Sequence, residues 1–165
     1  MSAASTRSQE PGRTTERRSV AVWSIVGLLV FLGVTALGGS IGMLSGSAAL
    51  APPDDWLASI PVIDSWLIPG LVLGLGFGVG SLVTAWGVVR RPPWSWLRPL
   101  EHMTLHHWSW MATIILGMGQ AVWISLELVY LPEPSALQAV YLPVGLAMTL
   151  IPFLPSVRRY LRSTV

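Results

Sequence analysis

The stretch "SWLIPGLVLGLGFGVGSLVTAWGVV", residues 65–89, decides the fold. It has no charged residue and is bounded by Asp64 and Arg90. A helix needs about 20 residues to cross the hydrocarbon core of a bilayer. An uncharged run of this length suits lipid rather than water. Three further runs match it. Residues 19–53 carry no charge and place a helix near 20–44. Residues 108–131 carry one charge, Glu127, and residues 134–157 lie between Glu133 and Arg158. Backbone in lipid must satisfy its own hydrogen bonds, which makes these runs helices. Barrel strands would be shorter and would alternate in polarity. Pro99 can open the third helix early. The expectation is an all-α, four-transmembrane-helix bundle with helices at about 20–44, 66–89, 100–131 and 136–155.

Composition agrees. The chain has 165 residues, of which 11% are charged and 52% hydrophobic, with a mean hydropathy of +0.60. A soluble domain of this size carries more charge. With no cysteine, disulfides, thiolate metal sites and cysteine nucleophiles are excluded. The formal charge of +2 gives no support to a nucleic-acid partner.

The placement of arginine sets the orientation. Lysine is absent, so the 10 basic residues are all arginine. Arg7, Arg13, Arg17 and Arg18 precede the first run, Arg90, Arg91 and Arg98 follow the second, and Arg158, Arg159 and Arg162 follow the fourth. The other two loops carry Asp54, Asp55, Asp64 and Glu133. The positive-inside rule puts both termini in the cytosol, as an even number of crossings requires. The expected location is the cell (inner or plasma) membrane. Residues 1–19 are polar and are expected to be a disordered cytosolic tail. Residues 20–157 form the membrane domain and 158–165 a basic cytosolic tail. Arg17-Arg18 resembles a twin-arginine signal start, but the apolar run is too long for a signal, so the first helix is retained. In the first outer loop, Trp56, Leu57 and Ile60 make a short amphipathic segment opposite Asp54, Asp55 and Ser59.

Small residues at spacing four let neighbouring backbones come close. The first helix has the row Gly38, Gly42, Gly46. The second has two rows, Gly70, Gly74, Gly78 and Gly76, Gly80, Thr84, facing different directions. The second helix is therefore expected to touch two neighbours, the first helix among them. Ser135 and Gln138 form an S-x-x-Q capping box, and Pro143 falls inside the fourth helix.

The third helix carries the polar chemistry. With one turn per 3.6 residues, His102, His106, Ser109, Thr113, Gly117, Gln120 and Glu127 share a face about 120° wide. His107 lies off it. Gln138 sits at the depth of Glu127, within hydrogen-bonding reach. Polar side chains avoid lipid, so this stripe faces inward. Three uses compete: hydrogen-bonding glue within the bundle, a proton or small-solute path, and a metal site. The spacing H-x-x-x-H-H resembles one histidine box of the membrane fatty-acid desaturases. Those enzymes need several boxes, and this chain has no histidine beyond these 3. Glu101 joins such a set only if the helix distorts. No metal and no cofactor is expected. There is no phosphate loop, no G-x-S-x-G and no dinucleotide fingerprint.

Three segments resemble a recurring group of small four-helix bacterial membrane proteins, actinobacterial in type. They are "WLASIPVIDSWLIPGLVLGLGFGVGSLVTAWGVVRR", "HWSWMATIILGMGQAVWISLELV" and "LQAVYLPVGLAM". The resemblance covers about residues 20–155 and is most specific at Ile68-Pro69-Gly70-Leu71. It implies the architecture and carries no activity. The leading expectation is a structural or partner-binding membrane component without catalysis of its own. The bilayer is its first partner, and another membrane protein or a second copy its candidate second. The alternative is a small transporter or lipid-binding protein using Gln120, Glu127 and Gln138. A lipid-modifying enzyme comes third.

Overall fold

The computed structural model describes residues 19–46, 53, 56–57, 63–131 and 133–163. The N-terminal tail and most of the amphipathic outer-loop segment lie outside the described residues. Four helices are long and apolar enough to cross a membrane: α1 (Val20–Ser45), α2 (Leu67–Arg90), α4 (Trp108–Tyr130) and α5, whose span Ala136–Phe153 ends in a 3-10 turn. Two short helices complete one end of the bundle, α3 (Arg98–Thr104) and α6 (Pro155–Tyr160). At 1.5 Å per residue the 26 residues of α1 extend about 39 Å, more than the core of a bilayer. Only 22–39% of the most apolar stretch of each span is buried inside the protein. Leu75, Ile115, Val129, Leu146 and Leu150 point outward. Apolar surface on that scale does not persist in water. The chain is a multi-pass membrane protein.

The core runs along α1. Val22, Ile25, Leu29, Leu32 and Ala36 recur at helical spacing and are buried. Ser19 caps the helix through its hydroxyl, and Gly46 ends it at φ 62. Gly70, Gly74 and Gly78 of α2 face α1, where an added Cβ would meet Leu44, Ser40 and Leu37. Ser40 donates to the Gly70 carbonyl at 2.7 Å, so the one buried hydroxyl at this contact is satisfied.

Positions four apart drift about 40° per step on an α-helix. The glycine row of α2 nevertheless stays on α1, because Val72–Val79 is π-helical. Its i→i+5 hydrogen bonds put more residues in each turn and offset the drift. Glycine at every second position from 74 to 80 weakens intrinsic helix preference there, leaving tertiary contacts to set the pattern.

The expected row on α1 has no such correction and winds off the contact. Gly42 is buried, Gly38 is open to the outside, and Gly46 is the helix cap. The close approaches on α1 come instead at Gly33, against Leu82 and the Gly78 carbonyl, and at Gly39, against Leu73. The second row of α2 also divides. Gly80 faces Leu116 of α4, Thr84 is buried, and Gly76 is exposed.

The tightest approach to neighbouring backbone joins α4 to α5. A Cβ on Gly117 would lie 2.7 Å from the Gly145 carbonyl oxygen and from the Thr149 amide, and one on Gly145 2.9 Å from the Ala121 amide. Backbone cannot swing aside as a side chain can. The capping box closes as expected, with the Ser135 amide donating to Gln138 Oε1 at 2.9 Å, and α5 continues across Pro143. The expected third helix of residues 100–131 is two helices. They are broken at Leu105, whose φ of 57 is left-handed, and by the extended His106 and His107. Part of the expected basic tail is packed into the protein, since Tyr160 and Leu161 are buried.

Gly117→Ala and Gly145→Ala are each expected to cost about 1–3 kcal/mol, as overpacking against unyielding backbone does. Gly38→Ala should cost nothing. Thermal unfolding in mild detergent, with all three variants side by side, checks the contrast.

Candidate functional site

The break at Leu105 sends the expected polar stripe to two separate places. At the end of the bundle formed by α3 and α6, α4 begins inside the protein, so its first amide groups cannot reach water. The Trp108 amide donates to Glu101 Oε1 at 3.1 Å. The Ser109 amide donates to His107 Nδ1 at 3.4 Å, and the Ser109 hydroxyl lies 2.9 Å from the same nitrogen. His107 Nε2 is 3.2 Å from the Pro92 carbonyl. A carbonyl only accepts, so Nε2 carries the proton and Nδ1 is the acceptor: His107 is a neutral N-cap. The His107 amide in turn donates to the Leu161 carbonyl at 2.8 Å.

Aromatic rings wall this end. Trp94 stacks on Trp108 at 4.7 Å between centroids and on Trp96 at 5.7 Å, with Trp86 beside it at 5.8 Å. Trp108 fits only because residue 87 is glycine, where a Cβ would lie 2.5 Å from the indole. Arg91 holds the C-terminal segment, donating to the Tyr160 carbonyl at 3.0 Å and sitting 4.6 Å above its ring.

The three histidines therefore have three fates. His102 is exposed. His106 stacks on Trp110 at 4.6 Å and hydrogen-bonds the Thr104 carbonyl. His107, which helical spacing had set aside, is the one that caps α4. Among the described residues, no group of three or more His, Asp and Glu side chains is placed to hold a metal ion.

Between the two ends the stripe is closed. The Thr113 hydroxyl is committed to the Ser109 carbonyl at 2.7 Å, and Gly117 is pressed against Gly145 and Thr149. Gln120, Glu127 and Gln138, by contrast, come together. They line a cavity of about 220 Å³ near the opposite end, between α1, α4 and α5. Thr35, Trp123 and Tyr141 share its walls, and Trp56 from the segment between α1 and α2 also lines it. The Trp123 indole N–H donates to Glu127 Oε1 at 2.5 Å, and the Gln138 side chain is a second hydrogen-bond partner of the same carboxyl. Gln120 is 2% exposed and its Oε1 has no hydrogen-bond partner. An acceptor buried without a donor destabilises a fold by about 1–3 kcal/mol.

Comparison with family models, curated proteins and solved structures finds no match to this chain. The site stands on its own geometry.

Burial lowers the pKa of His107 from its ordinary value of about 6.5, and Arg91 pushes the same way, against the Pro92 carbonyl and Glu101. The unfolded chain therefore takes up this proton at a higher pH than the folded one. Stability from His107 is complete above about pH 6.5 and declines as pH falls through the folded value. The unfolding temperature should fall on acidification below about pH 6.5. It should fall less in His107→Asn, which keeps a capping oxygen without a proton to gain. Equal slopes for the two proteins would contradict the assignment.

Proposed function

We propose that this protein holds a small amphipathic molecule in its outer cavity, with a hydrogen-bond donor at the molecule's polar end. The carrying observation is the cavity that Gln120, whose Oε1 has no hydrogen-bond partner, lines together with Glu127. Both groups accept hydrogen bonds, so the matching ligand group donates: an amine, an alcohol or an amide. The remaining walls are mostly apolar, which suits a hydrocarbon body. This is the lipid- or small-molecule-binding alternative from the sequence. It displaces the purely structural, partner-binding reading because the tight small-residue contacts are made within the bundle, at Gly70, Gly74, Gly78, Gly117 and Gly145. The histidines take no part in it. Closure at Gly117 favours binding from the outer side over a path through the protein.

The orientation belongs to the same reading. Arg90, Arg91, Arg98, Arg158, Arg159 and Arg162 share the end formed by α3 and α6, which supports a cytosolic placement of that end and of both termini. The cell membrane is then the protein's location.

The cavity is tested with octylamine, octanol and octanoate added to the purified chain in mild detergent. The amine and the alcohol should raise the unfolding temperature, and octanoate should not. Gln120→Met should lose that response. Without ligand it should be no less stable than the parent, since it removes a buried, unsatisfied oxygen. A Gln120→Met variant that responds as the parent does refutes the proposal. For orientation, reporters fused at each terminus are expected to be active only in their cytosolic forms.

A further inference from the structure

The inner end carries a second, separate cavity. Arg90, Arg91, Arg98, His102 and Arg162 line a cleft of about 610 Å³ together with Glu101 and His107. The four guanidinium groups come from three segments of the chain: the end of α2, the start of α3 and the turn after α6. Arg91 is occupied by Tyr160, but the side chains of Arg90, Arg98 and Arg162 have no ion pair or hydrogen bond among the described residues. The one carboxylate in the lining, Glu101, is turned inward to the Trp108 amide and His107. With the histidines neutral, the lining carries a net of three positive charges. Like charges gathered in one concavity repel each other unless an anion fills it. Guanidinium forks match phosphate oxygens in geometry as well as in charge. Exposed apolar side chains neighbour these residues in the chain: Trp96 is 71% exposed, Met103 83% and Leu105 60%. That combination belongs at the surface of a bilayer, where basic pockets between helices take lipid headgroups.

We infer that this cleft binds an anion bearing two phosphate groups, as a lipid headgroup or as a soluble diphosphate. A single phosphodiester would leave most of the charge unmet, and two bring the lining close to neutrality.

The test uses the full chain, purified in mild detergent and offered cardiolipin and phosphatidylcholine, with retained lipid read by native mass spectrometry. Cardiolipin should be retained in preference. The pair Arg98→Gln with Arg162→Gln should retain less, by about tenfold for each guanidinium removed. The pair Arg158→Gln with Arg159→Gln, exposed at the same end but outside the cleft, should retain as much as the parent. Inorganic pyrophosphate is the soluble arm. If it binds and cardiolipin does not, the ligand is soluble; if cardiolipin binds and pyrophosphate fails to compete, it is a lipid. Either outcome upholds the diphosphate assignment. Equal retention by the cleft pair and the parent overturns it, as does equal loss in the outside pair, or binding of neither probe. Helical circular dichroism confirms each fold, and Arg90→Gln replaces the cleft pair should that pair misfold.

Discussion

The amino end of α4 starts inside the protein, and much of that end of the bundle follows from it. The first amides of a helix have no partners of their own. In water they would be hydrated, but here Trp108 and Ser109 are buried. Glu101 and His107 meet them, and each must reach from outside α4. That requirement sets α3 as a separate helix and the left-handed turn at Leu105 as the means of reversing the chain. The turn places Leu105 and His107 beside residues 161–163, so the C-terminal segment is drawn in: Leu161 accepts from His107, and the Ser163 amide donates to Leu105 at 3.2 Å. The negative carboxylate at the helix start is favoured by the helix dipole as well.

A second constraint comes from the close helix contacts. Lipid supplies no hydrophobic force between spans, so contact depends on packing. Glycine lets the backbones of α4 and α5 meet at Gly117 and Gly145. The same contact closes the middle of the bundle and leaves an open space toward each end. One is lined by acceptors, Gln120 and Glu127, and the other by guanidinium donors. The protein thus has two cavities of opposite lining chemistry, with the glycine contact between them.

The four spans were legible in the sequence because lipid imposes a one-dimensional requirement, a long uncharged run, that needs no knowledge of neighbours. The Ser135–Gln138 box was legible for a similar reason, since it is local. The nearness of Gln138 to Glu127 was legible too, since the two share a depth. The break at Leu105 was not. Leu-His-His contains neither glycine nor proline, and histidine is an uncommon cap. A continuous helix then put His102 and His106 on one face and dismissed His107, which was the residue that mattered. The π-helical stretch of α2 was hidden as well, because periodicity assumes 3.6 residues per turn throughout. The glycine row of α1 failed for want of such a correction, while that of α2 held because of one. The buried C-terminal segment was masked by its arginines, which point outward while Val157, Tyr160 and Leu161 point in.

The clasp between Arg91, His107 and residues 160–163 bears on how the molecule is made. Ribosomes deliver the chain from its amino end, so α2 and α4 enter the bilayer before Tyr160 and Leu161 exist. Until then Arg91 has no ring to cover and the His107 amide has no acceptor from that segment. That end of the newborn protein is therefore unfinished through most of its synthesis and locks only when the last spanning helix has been threaded.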